Sequence, residues 1–137
     1  MSEEGFQLIR MTMDSLSELY SKLKGKADVT GETGEFLDFY KNWGKSIIYK
    51  IPSGYLRFVR YPNLGRTVVH GLFFGNPYKD SKIITNVLDY YLEKFPEVEE
   101  LEAHIKDEFR GVIKFTNTFA TSSEHHDGKW IFYYRRK

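Results

Sequence analysis

The chain has 137 residues, close to the usual size of one domain and long enough to withdraw roughly 70% of its unfolded surface from water. Twenty Lys and Arg stand against nineteen Asp and Glu, so a formal charge of +1 supplies no global field for nucleic acid or an acidic membrane surface. There is no Cys, which excludes a disulfide framework, a thiolate nucleophile and a Cys-based zinc site.

No apolar run approaches the roughly 20 residues needed to cross a bilayer. Met1–Gly5 is acidic and lacks the basic-then-apolar order of a secretory signal. We therefore expect one soluble, cytoplasmic domain over residues 1–137, built around a single core. Aromatic residues at 17% supply large apolar area for a sheet-centred core, and some of the rings are available to line a cleft.

In chain order, Phe6–Met11 alternates weakly and reads as a first strand. Ser15 and Glu18 have the spacing of a capping box, so a helix is expected to start there. Leu16, Leu19, Tyr20 and Leu23 fall on one face of it, and Gly25 is placed to end it. Lys24–Glu35 reads as a polar loop, and Phe36, Phe39, Tyr40 and Trp43, followed by Gly44, suggest a second, shorter helix.

Ser46–Ile51 and Tyr55–Tyr61 are β-rich runs separated by Pro52, Ser53 and Gly54, the composition of a tight hairpin turn. The turn Pro62–Gly65 leads to a third run, Thr67–Phe74, in which Gly71 is expected to mark a bulge or the close approach of another backbone. Asp80–Phe95 is the strongest helix, because Ile84, Val87, Leu88, Tyr91 and Phe95 form one stripe and Pro96 stops it. Leu101–Ile105 reads as a strand, and Phe109, Val112, Ile113 and Thr116 share a face of a following helix. Phe119–His126 and Lys129–Arg136 flank Asp127-Gly128, a dipeptide suited to the positive backbone angles of a type I′ turn, so the chain should close on a hairpin.

This order of elements resembles the GNAT N-acetyltransferase family over almost the whole chain. Local phrases are similar too: Leu8-Ile9-Arg10-Met11-Thr12 with Asp14 at the opening, and Val112-Ile113-Lys114-Phe115 at the late helix. The resemblance implies an α/β fold of the α+β kind, with a mixed, mostly antiparallel sheet of about six to seven strands flanked by about four helices. It also implies that the fourth and fifth strands, here Thr67–Phe74 and Leu101–Ile105, splay apart at a bulge. The pantetheine arm of acetyl-CoA would then lie between them like an added strand. Its pyrophosphate would rest on the amino end of the long helix, over the loop 75–84.

By that resemblance Phe73, Phe74, Gly75, Lys79, Ser81 and Lys82 are the cofactor-binding candidates. Tyr78 and Lys79 are similar to the start of the family's phosphate motif, whereas Lys82 and Ile84 stand where it has two small residues. Thr116 falls where many members carry the tyrosine that protonates the thiolate, and a threonine hydroxyl is too weak an acid for that work. For the base, His70, Glu102 and His104 are the candidates, since Glu102 and His104 share a strand face and His70 lies on the facing strand.

Other constellations carry less. Gly54–Tyr61 invites comparison with an RNA-recognition strand, but Tyr55 and Phe58 would point to opposite sides, which breaks a stacking platform. Adjacent His125 and His126 cannot chelate one metal together on a strand, so no metal site is expected. Ser122 and Ser123 lack a nucleophile elbow, and Arg135, Arg136 and Lys137 read as a solvated basic end.

Two functions follow from the resemblance. One is a catalytically degenerate domain that works by binding a protein partner, as relatives encoded by tailed phages do in virion assembly. The other is an active enzyme moving an acetyl group from acetyl-CoA to an amine. An open gap between the splayed strands points to a ligand; one filled by Phe73, Phe74 or Tyr78 points to protein binding alone.

Overall fold

The computed structural model describes residues 5–10, 12–23, 46–74 and 76–136. The Lys24–Glu35 loop, the second helix read from Phe36 to Trp43, Met11, Gly25, Gly44, Gly75, Lys137 and the Leu23 side chain lie outside the described residues. Among the described residues seven strands form one sheet: β1 (Gln7–Leu8), β2 (Ile47–Ile51), β3 (Gly54–Tyr61), β4 (Arg66–Phe73), β5 (Glu100–Lys106), β6 (Ser122–His126) and β7 (Lys129–Arg135). Their order is β1-β2-β3-β4-β5-β7-β6, antiparallel throughout except between β4 and β5. Three α-helices are found among the described residues: α1 (Met13–Leu23), α2 (Ser81–Lys94) and α3 (Arg110–Asn117).

The turns form where their chemistry requires. Pro52 and Ser53 close the β2–β3 hairpin, with Ile51 opposite Gly54. Gly54 has φ +153°, and a Cβ there would run into the Leu72 carbonyl on β4, so no other residue fits this close approach. Asp127 and Gly128 take φ of 47° and 79°, the two positive angles of the expected hairpin turn.

The cap of α1 differs from expectation. Thr12, not Ser15, sits ahead of the first turn: Ser15 N–H donates to Thr12 Oγ1 (3.1 Å) and Thr12 N–H donates back to Ser15 Oγ (2.9 Å). Reciprocal bonding of this kind satisfies two of the helix's orphan donors, and Ser15 supplies the third-position partner rather than the cap. Gly71 also departs from expectation. The β3–β4 ladder runs unbroken from Gly54–Phe73 to Tyr61–Arg66, so there is no bulge, and the space above Gly71 is taken by the ring of Phe73, two residues along the same face.

Strand alternation divides the core between two sheet faces. On one, Ile84, Val87, Leu88, Tyr91 and Leu92 of α2 pack on Tyr49, Leu56, Phe58 and Leu101, and Phe58 stacks on Tyr91 at 4.2 Å between centroids. Each fully buried large side chain contributes about 1.5–3 kcal/mol. On the other face, Leu16 and Leu19 of α1 cover Ile48, Tyr55 and Leu72. Arg136 is a structural tie rather than a solvated end: its guanidinium donates to the Leu92 carbonyl and, at 2.6 Å, to that of Val98, satisfying acceptors at and beyond the α2 terminus.

Candidate active site

The parallel pair β4–β5 has a single backbone partnership, Val68 with Glu102. Beyond it the strands part, so the backbone groups of 69–73 and of 103–106 no longer pair with each other across the gap. Phe73 does not fill the opening, because Gly71 lets its ring lie back along β4. The result is a cleft of about 620 Å³, running from the gap under α3 and bounded by Val69, Phe73, Ala103, Ile105, Val112 and Phe115, among others. The lining is mainly apolar, as ligand clefts generally are.

The candidate bases meet on the α1 side of the sheet. Glu102 is buried at the apex of the gap, and its carboxylate takes Arg66 Nε–H (3.1 Å), a second, shorter bond from Arg66 Nη2, and His104 Nε2–H (2.7 Å). Burial by itself would raise its pKa, but the hydrogen bonds and charges of Arg66 and His104 together hold it below the usual carboxylate range. His104 is engaged at both nitrogens, since Lys129 Nζ lies 3.1 Å from Nδ1. An ammonium can only donate, so Nδ1 accepts from Lys129 and it is Nε2 that carries the proton given to Glu102. His104 therefore presents no free lone pair, and the Glu102 carboxylate is engaged by Arg66 through both oxygens and by His104 through Oε1.

His70 is different. It is exposed on β4, forms no hydrogen bond among the described residues, and stands in the cleft wall. Crowding by the walls, then the positive Arg57 opposite it and the His104 ring, push its pKa down to about 4. A concave wall reconciles access for water with poor solvation of an imidazolium. His70 is therefore neutral, with a lone pair to offer, at neutral pH.

The remaining candidates separate. Thr116 is buried in the cleft wall on α3. Phe74 lies away from the cleft, its ring edge-on to Tyr55 on the α1 face and its N–H bonded to Ser53 O (2.7 Å). Lys79, Ser81 and Lys82 sit outside the cleft where α2 begins, with both lysines exposed. In place of a glycine-rich loop, Pro77–Asp80 form a 3-10 turn. Asp80 is buried with its carboxylate on Ser53 N–H (2.9 Å), and Ile84 is buried in the core. As the residue ahead of α2, Asp80 puts a negative charge near the positive end of the helix, although its side chain caps none of the helix N–H groups.

Several site residues escaped sequence reasoning. Arg66 and Lys129 share the face of Glu102 by strand alternation, a signal visible only once register is known. On α3 the inward face is Val112, Phe115 and Thr116, while Phe109 is exposed; two turns of helix are too short to fix the stripe from spacing alone. Tyr78 crosses from the 3-10 turn to α3, its ring edge-on to Phe115 (5.1 Å) and its hydroxyl against Gly111.

No family model and no curated protein matches the chain. Solved structures do. The spermidine N-acetyltransferase of Vibrio cholerae, in complex with CoA and spermine, is 11% identical, with 96% of this chain and 94% of that one covered and a TM-score of 0.68. The N-acetyltransferase PseH of Campylobacter jejuni is 13% identical, with coverage of 97% and 99% and a TM-score of 0.65. A GNAT-family acetyltransferase of Bacillus anthracis is 12% identical, with coverage of 93% and 92% and a TM-score of 0.59. The fold is that of the GNAT N-acetyltransferases: a mixed, mostly antiparallel seven-stranded sheet flanked by helices.

Proposed function

We propose that the cleft between β4 and β5 binds the pantetheine arm of acetyl-CoA and that the protein transfers the acetyl group to an amine. The observation that carries this reading is the parting of the two strands after one backbone pair, with the gap left open rather than packed. Unpaired peptide groups on both edges suit the two amides of the arm, and the apolar walls suit its methylenes while excluding water. The arm fits these residues; a diphosphate clamped by backbone N–H groups does not, given Asp80 and Ile84 at that helix end. The side chains of Lys79 and Lys82 would meet the phosphates instead, as exposed point charges.

When bound, the coenzyme supplies a thioester open to attack by an amine. The C–N bond forms as the C–S bond breaks, and the proton lost by the amine needs an acceptor. His70, in the cleft wall, takes that proton directly or through water and passes it to solvent; its pKa of about 4 makes it a weak base for this step. Glu102 and His104 hold the apex of the cleft in place. Thr116 confines the arm without serving as an acid.

Calorimetric titration with CoA and acetyl-CoA tests the reading, followed by thiol release in the presence of a panel of amines. Saturable binding with amine-dependent thiol release is expected, and absence of any heat up to millimolar CoA removes the proposal. The Asp80 carboxylate at the helix end favours a second reading, a GNAT-like domain that binds a protein partner without transferring acetyl. Binding of CoA with no thiol release from any amine, or no binding at all, would leave that alternative standing.

A further inference from the structure

The cleft is deeper than an acetyl group requires. Past the gap it continues beneath α3, between α2 and the sheet, to an inner end bounded by Leu88, Leu101, Phe119, Ala120 and Tyr134. Leu88, Leu101 and Tyr134 are all buried. Among the described residues no ionised side chain borders this inner end; the Tyr134 hydroxyl is already committed to Asp89 Oδ1 (2.6 Å), and the other polar group is the Thr116 hydroxyl. The charged and imidazole groups of the cleft, His70, Glu102, His104 and Lys106, lie on or beyond the gap, on the opposite face of their strands.

Such a chamber rejects an ammonium, a carboxylate or a phosphate, because an unpaired charge there would lose its hydration without compensation. An aliphatic chain gains on entry.

We infer that the preferred acyl donor carries a linear aliphatic chain longer than acetyl, of medium length, laid in this inner chamber. The inference rests on the acyl-CoA reading above and specifies its substrate class. The chemistry is unchanged: the acyl carbon leaves sulfur for nitrogen, the thiol takes up one proton, and the amine gives one up. What changes is where the acyl methylenes go. They extend under α3 toward Ala120 while the thioester stays at the gap near His70.

The test compares acetyl-CoA, butyryl-CoA and octanoyl-CoA by calorimetric titration, with the last kept below its micelle concentration. Each methylene taken out of water strengthens binding by up to about fourfold. With partial burial, octanoyl-CoA should bind at least about tenfold more tightly than acetyl-CoA. Ala120→Phe, which fills the inner end, should cut that advantage to less than about threefold and leave acetyl-CoA affinity within about twofold. Thermal melts check that the variant folds, and Ala120→Leu replaces it if it does not.

Octanoyl-CoA binding no tighter than acetyl-CoA, while acetyl-CoA itself binds, would overturn the chamber and leave the acetyltransferase reading intact. A length preference that survives both Ala120 variants would equally overturn the assignment to this chamber. Failure of every CoA thioester to bind would overturn both readings together.

Discussion

The guanidinium of Arg66 on β4 clasps the carboxylate of Glu102, the residue on β5 that makes the only backbone pair between these strands. The two strands are therefore tied by side chains where their ladder is thinnest, and the clasp marks the apex from which the cleft opens. Glu102 is buried and Arg66 about half exposed, so solvent screening at the guanidinium limits what the pair contributes.

Arg66→Ala should cost about 1–2 kcal/mol at neutral pH, since Glu102 keeps His104 as a partner. The sign of the pH dependence follows from the lowered pKa of Glu102. Its contribution is present above the ordinary value of 4.5 and is lost as pH falls through the lower folded-state value. Urea midpoints between pH 3 and 7 should show the parent and Arg66→Ala furthest apart above pH 5 and converging in acid. A constant gap across that range would mean that the clasp does not depend on the ionised carboxylate.

Beside α3, the Tyr78 hydroxyl occupies the space in which a residue at 111 would carry its Cβ, 2.5 Å from it. Tyr78 is about half exposed, so it can swing aside at little cost. Gly111→Ala should then raise the melting temperature by up to about 4 °C, because alanine is the better helix former. Because Tyr78 packs on Phe115 in the cleft wall, its displacement should also speed CoA association. Slower association in stopped-flow would show that Tyr78 belongs to the binding surface and is not an obstacle to it.

Neutral His70 makes a prediction about acid. An imidazole whose folded pKa lies below the unfolded 6.5 contributes nothing adverse above that pH and increasingly destabilises the fold as pH falls toward 4. His70→Asn should therefore lose less stability than the parent between pH 6.5 and 4. In catalysis the same group should give kcat/KM no inflection near pH 6.5, and His70→Asn should lower kcat by roughly 10²-fold. An inflection at 6.5 that disappears in the variant would indicate an imidazole solvated like a free one.

Much of the scaffold was legible because its signals are local. Pro52-Ser53 and Asp127-Gly128 mark their hairpins by turn chemistry alone, and the α2 stripe from Ile84 to Tyr91 repeats long enough to fix its face. The site was less legible because its parts meet across long separations. Arg66, Glu102, His104 and Lys129 come from three strands, and only the register places them side by side. The difference between Thr12 and Ser15 as cap was hidden for another reason: both carry a hydroxyl able to accept at a helix start, and the backbone decides which is outside.

Asp80 offers a substitution whose effects on stability and on ligand binding should run in opposite directions. Its carboxylate accepts the Ser53 N–H and sits at the positive end of α2, so removing its charge while keeping an oxygen acceptor, as in Asp80→Asn, should cost about 0.5–1 kcal/mol. The same charge repels the phosphates of a nucleotide held near Lys79 and Lys82. The variant should therefore bind CoA several-fold more tightly at low salt, with the gain shrinking as screening increases. Calorimetry at two ionic strengths beside a urea titration separates the two effects. A variant that loses stability without gaining affinity would place the phosphates away from this helix end, and with them the entry route assigned to the coenzyme.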